Sequence, residues 1–386
     1  MSPHCMRARA LSAASAAAAF ALVAGTAAVA AVTAPSPVPA DAGMIGLPCM
    51  ANADNQFVMR VSYTAPSVTG LYTIDGCEGF APTLMIERGV EYEFVQEDRS
   101  NYYHPVGFAY YPDGAHTGVP ELEVPTPDEC SEPEYACNPE ATQAPLYCVA
   151  GVCETLDDWN NPDATGSGLD AYEPRFFLPI DQWDEAGPFS VKLTIPVDSL
   201  TEIFYYFCHI HSGMSAQIQV VDPSPDANEL VPGPLTSFDP ETYYPPIDEF
   251  DMECGTSAIS EYHTDQDTLC PNQEFMCFGD PTTFNVCFEA TNCKMNHDMR
   301  LEANDNNIAT FMTQMIAHHE QAVSQSRVTL KHAMGDVGAD DEDTDLEGLL
   351  YSIINVQNQQ IQVMQAWLET YAPDADTTGS SSCPTS

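Results

Sequence analysis

The sequence predicts a multidomain β plus α protein, in which a β domain precedes a small helical domain. In the first part of the chain, apolar and polar residues alternate over short segments such as residues 57–63 and 189–195. This is the pattern of strands that bury one face. From about residue 304, apolar residues instead recur every three or four positions, which is the period of an amphipathic helix. A chain of 386 residues is long enough for two such domains.

The chain begins with a segment typical of export. Arg7 and Arg9 precede an apolar run rich in alanine, and small residues at positions 28–30 offer a cleavage site. Residues 1–32 are therefore predicted to be a secretory signal peptide, with an uncleaved membrane anchor as the alternative. Residues 33–46 are predicted to be a Pro/Ala linker. We expect the mature protein to be secreted or periplasmic and not bound to a membrane.

The stretch around Cys208 contains the side chains of a soft-metal site. An aromatic run over residues 204–207 predicts a buried strand that ends at Cys208, and His211 and Met214 follow within six residues. Thiolate, imidazole and thioether groups close together favour copper, and a weakly bound methionine is the expected axial ligand of a His2Cys site. His209 is the alternative to His211.

The spacing Cys-x-x-His-x-x-Met resembles the ligand loop of the cupredoxins, a family of small blue-copper proteins. The resemblance implies a Greek-key β-barrel or sandwich, here over residues 47–221, and one further histidine from an earlier strand. His104 matches that position because it follows a predicted strand pair around Gly89, and His116 is its alternative. By this likeness four residues would hold one type 1 copper: His104, Cys208, His211 and Met214.

Two segments rich in cysteine and turn-forming residues interrupt the pattern. Residues 113–170 predict an insertion loop closed by disulfides, and residues 222–290 predict a Pro/Cys-rich linker. Export permits disulfides. Of the 14 cysteines, Cys5 lies in the signal and Cys208 would bind copper, so twelve remain, a number compatible with six bridges.

Residues 291–372 are predicted to form the helical domain, followed by a polar tail over residues 373–386. A Met-x-x-His-His motif ending at His319 and a Met-x-x-Trp-Leu motif ending at Leu368 resemble, in order, the signature of the family named domain of unknown function three-hundred-and-five. Its members are similar to small ferritin-like helical bundles, and some are exported copper-binding proteins. Gln360 stands where the family has a glutamate, so a metal site here would have fewer carboxylates than is usual. The segment from Gly335 to Gly348, which contains an acidic run over residues 340–345, is expected to separate the two helices as a solvated loop.

Methionine and histidine residues of this helical domain form a second predicted copper site. The candidates are Met295, His297, Met299, Met312, Met315, His318, His319 and Met364. On a helix, positions 312, 315 and 319 share one face, position 318 points about 100° away, and position 364 lies on the partner helix. Positions 295, 297 and 299 alternate, and in an extended segment they would lie on one side as a clamp. Thioether and imidazole ligands favour copper(I), and the alternative for each methionine is a core residue that fills a gap.

These sites predict an exported copper-binding protein that combines an electron-transfer module with a copper storage or delivery module. A redox partner, or a copper donor or acceptor protein, is expected. Two helices alone cannot bury both faces, so the helical domain is expected to need a further helix near residues 291–303, the surface of the β domain, or a second copy of itself. A copper-dependent oxidoreductase and a metal-free, disulfide-rich extracellular structural protein are the alternatives. The net charge of −46 argues against nucleic acid and anionic membranes as partners.

Overall fold

The structure is a computed structural model that combines two β-sheets with a C-terminal set of helices. It describes residues 48–65, 67–117, 122, 145–154, 172–199, 201–223, 247–277, 279–301, 306–334 and 341–373. The predicted signal peptide, the linker over residues 33–46 and the polar tail beyond residue 373 lie outside the described residues. The mixture of strands followed by helices agrees with the predicted β plus α class.

The strands of the described residues are short. β2 and β9 alternate between buried and accessible positions, whereas β6, β10 and β11 are buried over nearly their whole length. Their bounds are β1 Cys49–Met50, β2 Gln56–Ser62, β3 Leu71–Ile74, β4 Leu84–Glu87, β5 Glu91–Val95, β6 Val106–Ala109, β7 Leu146–Val149, β8 Val152–Glu154, β9 Phe189–Thr194, β10 Ile203–Cys208 and β11 Ser215–Val221.

The strands form two open sheets. One has five strands in the order β1-β4-β11-β10-β6, and the other has six in the order β3-β2-β5-β9-β7-β8. Their inner faces contact each other through aromatic side chains; Phe94 of β5 and Phe108 of β6 have ring centroids 4.8 Å apart. Neither sheet closes on itself within the described residues, so the expected barrel is not formed and the two-layer arrangement is the one present.

Part of the predicted insertion loop is a regular hairpin. β7 and β8 pair in antiparallel register across a turn at Ala150 and Gly151, both with positive φ, as a tight hairpin turn requires. Cys148 and Cys153 form a disulfide within it, and β7 extends the six-stranded sheet by pairing with β9. The hairpin is therefore part of the sheet and does not hang from it as a loop. Cys130 and Cys137 lie outside the described residues.

Seven α-helices occur in the described residues. Their bounds are α1 Ile180–Ala186, α2 Glu249–Cys254, α3 Ser260–Thr264, α4 Gln266–Leu269, α5 Thr283–Asp298, α6 Asn307–His332 and α7 Asp341–Tyr371. Side-chain caps define where the long helices begin; Asn306, for example, accepts hydrogen bonds from two backbone N–H groups at the start of α6.

The region predicted as a Pro/Cys-rich linker contains helices in its second half. Two disulfides, Cys254–Cys287 and Cys270–Cys293, attach the short helices α2 and α4 to α5. Cys277 is exposed and unpaired, so the six expected bridges are not all present. With Cys49–Cys77 and the hairpin bridge, four disulfides join described residues.

Two local predictions in this region were wrong. α5 continues through Asp298, so Met295 and His297 lie about 200° apart around a helix and do not form the side-by-side clamp of an extended segment. The acidic run is also not a loop throughout, because α7 begins at Asp341.

The helices pack onto the sheets and share their core. Val323 of α6 and Ile354 of α7 belong to the same buried cluster as the strand aromatics. Tyr351 of α7 stacks on Tyr63 with ring centroids 4.9 Å apart. Residues 46–386 accordingly form one compact unit. Among the described helices, none has the length and apolar character needed to cross a bilayer.

Candidate metal centre

Strand register brings His104 to Cys208. β6 and β10 are antiparallel neighbours, and Cys208, the last residue of β10, pairs with Val106, the first residue of β6. His104 lies two residues before Val106, at the same end of the sheet. Residues far apart in sequence thus meet because one strand begins where the other ends.

The loop between β10 and β11 supplies His211. The backbone N–H of Cys208 donates to the Met214 carbonyl, 3.1 Å away, which closes the loop and places its two ends side by side. Gly213 has φ +76°, a conformation that favours glycine, and its N–H donates to the Asp113 carboxylate. The His211 N–H points back to Cys208 Sγ at 3.3 Å. Met214 is 1 % exposed and belongs to the core of the sheets.

Three potential ligand atoms converge at this point. Cys208 Sγ lies 3.5 Å from His104 Nδ1 and 3.8 Å from His211 Nδ1, and the three atoms all lie within 4.8 Å of one another. All three side chains are fully buried. Among the described residues, no other set of three His, Cys, Asp or Glu side chains converges in this way.

The backbone of His104 is held by buried polar side chains. Its carbonyl accepts hydrogen bonds from Tyr72 Oη at 2.9 Å and from Gln96 Nε2 at 2.6 Å. Tyr103, just before it, has φ +66°, an uncommon conformation for a bulky residue that persists only where surrounding contacts enforce it. The histidine is thus fixed before any ligand arrives.

Helix α7 covers the site from the other side through Asn355. Asn355 Oδ1 lies 2.9 Å from His104 Nε2, and its backbone oxygen lies 3.2 Å from His211 Nε2. Its Nδ2 donates to the Tyr102 carbonyl at 2.9 Å and to Tyr63 Oη at 2.8 Å. Asn355 is itself 0 % exposed, so one residue of the C-terminal region contacts both imidazoles.

Burial keeps every ligand candidate uncharged. Desolvation raises the pKa of the Cys208 thiol to about 12 and lowers the pKa of His211 to about 4. The pKa of His104 is also lowered, by burial and by the neighbouring His211. Neutral imidazoles are ready to bind a cation, whereas the thiol must release its proton on binding.

The two alternative histidines lie outside this cluster. His116 Nε2 contacts the backbone oxygen of Cys208 at 2.9 Å, and His209 Nδ1 is paired with the Glu173 carboxylate. Both are near the site, but their ring nitrogens have other partners. The structure therefore brings together His104 and His211 from the two pairs of alternatives.

The helical histidines contact other residues of the helices. His319 Nδ1 lies 2.8 Å from the Met315 carbonyl, and His319 Nε2 lies 2.7 Å from Gln360 Oε1 on α7. His297 Nδ1 lies 2.9 Å from Asp298, and His318 is exposed. These side chains are not gathered around one point as the buried set is.

A cavity of about 290 Å³ adjoins the ligand loop. Its wall includes Ser212, next to His211, together with Arg327 of α6 and Ile361 of α7. Arg327 is 2 % exposed, and its guanidinium donates to three backbone carbonyls, those of Ala65, Ser67 and Gly255. This one side chain thus connects α6 both to the β2–β3 loop and to the end of α2.

Sequence reasoning missed Asn355, Tyr63, Tyr72 and Gln96. The signal for Asn355 was present: Gly348, Tyr351, Asn355 and Asn358 recur at helical spacing. They form a second, polar face beside the apolar face that packs on α6. Gly348 belongs to it because a Cβ there would approach Arg99 Nη2 to 3.1 Å.

Comparison with known proteins supports the C-terminal assignment. Residues 309–384 match the family model described as "Domain of unknown function (DUF305)", which covers most of α6 and all of α7. No curated protein and no solved structure matches the chain. The family resemblance of the helices is thereby confirmed, and the resemblance of the strand region to the cupredoxins stays a prediction.

Proposed function

We propose that the chain is a copper-binding electron-transfer protein, with a type 1 copper held by His104, Cys208 and His211 and with Met214 as the weak axial ligand. The observation that carries this is the convergence of two imidazole Nδ1 atoms and one thiol Sγ within 4.8 Å of one another. Two imidazoles and a thiolate with a distant thioether are the donor set of blue-copper sites.

The donor set fits copper better than a hard cation. It contains no carboxylate, and calcium and magnesium require oxygen ligands. Histidine and cysteine also bind zinc, so zinc is the competitor that an experiment must exclude. Copper supplies one-electron exchange between its two oxidation states.

The protein would hold the ligand residues in the same positions in both oxidation states of copper. The sheet fixes Cys208 and His104 through the β6–β10 register, and the closed loop fixes His211. Complete burial excludes water from the ligands. Ser212 is exposed one residue away from His211, so a redox partner at that surface would come close to the ligand loop without opening the site.

Copper(II) titration of the purified protein tests the proposal. We expect one equivalent to produce an intense visible thiolate-to-copper charge-transfer band, which Cys208→Ala abolishes. Cys277→Ala is the matched control, because Cys277 is the other unpaired cysteine in the described part of the chain and is exposed. A wild-type protein without the band, a band that survives in Cys208→Ala, or tighter binding of zinc than of copper would overturn the assignment.

A copper(I) storage or delivery site in the helical region is the second part of the proposal. The contact between His319 and Gln360 supports it, because it brings the two halves of the family signature face to face. α6 and α7 run antiparallel, since only residues 333–340 connect them. Met315, one turn before His319, then lies level with Met364, one turn after Gln360, and Met364 is 8 % exposed. Two thioethers at one level, with an imidazole one turn away, offer a soft donor set.

An oxidoreductase is supported less well. The buried centre has no exposed ligand atom, so a substrate cannot reach it directly. The helical histidines would have to provide the substrate site, and His319 and His297 are engaged by Gln360 and Asp298.

A further inference from the structure

The residue that completes the metal centre lies in the helical region, outside the strands that supply the ligands. We infer that Asn355 is a positioning residue that sets which ring nitrogen of His104 and His211 carries the proton, so that both Nδ1 atoms are free to bind a metal. This inference rests on the proposed function and deepens it. It assigns to the DUF305 helix a role in the centre itself.

The orientation of the Asn355 amide follows from its donors. Nδ2 lies 2.9 Å from the Tyr102 backbone carbonyl, which can only accept a hydrogen bond. The nitrogen must therefore face Tyr102, and Oδ1 must face His104. Exchanging the two atoms would place two acceptors against each other at Tyr102 inside a buried site, where an unsatisfied polar group is costly.

The tautomer of His104 follows from that orientation. Oδ1 can only accept, so His104 Nε2, 2.9 Å away, must carry the hydrogen. The ring is fully buried, where the charged form is strongly disfavoured, and a neutral imidazole has one N–H. Nδ1 is therefore left with its lone pair, and it is the atom that faces Cys208 Sγ at 3.5 Å.

The same residue acts on His211 through its backbone. His211 Nε2 lies 3.2 Å from the Asn355 carbonyl oxygen, another obligate acceptor. The His211 ring is also fully buried, so by the same argument its Nδ1 carries the lone pair, and it faces the same sulfur at 3.8 Å. Partners of this kind, which hold the second nitrogen of a ligating histidine, determine its tautomer and orientation.

Asn355 lies on the face of α7 that packs against the sheets, and contacts of this face hold it in place. Tyr63 Oη accepts from Asn355 Nδ2 and donates to the Ser100 carbonyl at 2.8 Å. One turn earlier Tyr351 stacks on Tyr63, and one turn later Asn358 Nδ2 donates to the Val68 carbonyl at 3.0 Å. These contacts fix the helix against the strand region on both sides of Asn355.

Asn355 contacts His104 through its side chain and His211 through its backbone, so substituting its side chain should affect the two histidines differently. Asn355→Ala removes the side-chain acceptor of His104 but keeps the backbone acceptor of His211. In the metal-free protein we expect His104 to become a mixture of both tautomers while His211 keeps Nε2–H. Long-range 1H–15N correlation spectra of the histidine rings measure this directly, with His104→Gln and His211→Gln used to assign the signals.

A conservative variant of Asn355 distinguishes a role in positioning the His104 proton from a role in packing alone. Asn355→Asp keeps an oxygen facing His104, and at this fully buried position we expect the carboxyl to be protonated, so that its O–H replaces Nδ2 as the donor to Tyr102. The Nε2–H tautomer of His104 should therefore persist, whereas a purely structural role of Asn355 would make the aspartate variant at least as disruptive as the alanine variant. Asn358→Ala is the control on the same face of α7, and it should leave both tautomers unchanged. After copper loading, Asn355→Ala should lower copper(II) affinity by about 10–100-fold, the usual effect of removing such a partner.

The outcomes distinguish this inference from the proposed function. Unchanged His104 tautomers in Asn355→Ala, with copper still bound by the wild type, would overturn the positioning role alone. Nε2–H tautomers in a wild-type protein that binds no copper would overturn the metal assignment and leave the tautomer control standing. Nδ1–H on either ring of the wild-type apo protein would overturn the inference outright.

Discussion

The buried centre and the helical region both contain histidine with a soft sulfur residue, but the two regions differ in the burial of these side chains and in the partners of the histidine rings. At the centre, His104 and His211 are fully buried, and their partners leave both Nδ1 atoms directed at one thiol. On the helices, His319 is half-buried and contacts Met315 and Gln360, while His318 is exposed. The difference lies in what the ring nitrogens face.

This difference shows that soft residues in a cluster are not sufficient for a prearranged site. At the centre, the segment before β6 and helix α7, both distant in sequence from Cys208, meet the β10–β11 loop, and hydrogen bonds to buried groups fix His104 there. On α6 the candidates follow from helical spacing alone, and a bound ion would have to reorganise side chains that already have partners. We therefore expect tight binding at the centre and weaker, exchangeable binding on the helices.

The largest expected effect is on the number of copper(I) ions that the protein retains, which differs between variants of the two regions. After copper(I) loading and desalting, the wild type should retain the centre's copper together with a more labile equivalent on the helices. Cys208→Ala should lose the tightly held copper, since no other thiol of the described residues converges on His104 and His211. The double variant Met315→Ala/His319→Ala should lose only the labile copper. Competition with a copper(I) chelator measures both. Loss of the tight copper in the double variant would contradict the assignment.

A second prediction concerns the connection between the regions. Arg327→Met should lower the free energy of unfolding by about 3 kcal/mol, because three buried carbonyls lose a charged donor. Urea unfolding of the metal-free protein measures this. Lys331→Met is the control: Lys331 lies one turn later on α6 and also donates to a carbonyl, that of Met252, but from an exposed position. It should change stability by less than about 0.5 kcal/mol.

A third prediction uses pH to probe burial at the centre. The pKa of His211 is lowered from its usual value near 6.5 to about 4, so between these values the unfolded chain binds a proton that the folded chain does not. The contribution of His211 to the free energy of unfolding is fully present above about pH 6.5. It decreases as the pH falls, and at pH 4 it is smaller by about 3 kcal/mol.

The pH measurement must be a difference, because many carboxylates titrate in the same range in a chain with 57 acidic residues. Subtracting the unfolding free energies of His211→Gln from those of the wild type, pH by pH, isolates the histidine. Parallel curves for the two proteins would show that the ring is not buried in its neutral form.

The smallest expected effect is at the helical surface. Gln360→Glu restores the carboxylate usual at this position and places a negative charge beside His319 Nε2. A carboxylate is a harder ligand than an amide, so the affinity of the helical region for copper(II) relative to copper(I) should rise a few-fold, or about 0.5–1 kcal/mol. Paired titrations of both oxidation states in a Cys208→Ala background measure the ratio. A fall in this ratio would place the helical site elsewhere.

Local patterns of apolar residues were sufficient to predict several strands and helices. The aromatic strand that ends at Cys208 is β10, and the helical period near residue 308 is α6. Both depend on side chains a few residues apart, which the pattern reports directly. Helix ends were less predictable: α5 extends through Asp298 and α7 starts within the acidic run, because how far a helix extends depends on tertiary packing, which a local pattern does not report.

By itself, the sequence determined the succession of strands and helices, the family of the C-terminal helices and the loop that presents Cys208, His211 and Met214 as candidates. Tertiary structure alone decided that His104 and not His116 meets them, since this depends on the register of β6 and β10 across about a hundred residues. It also decided that Asn355 contacts both imidazoles. That contact exists because a polar face of α7 packs on the sheets, and no local pattern specifies what a helix face will meet.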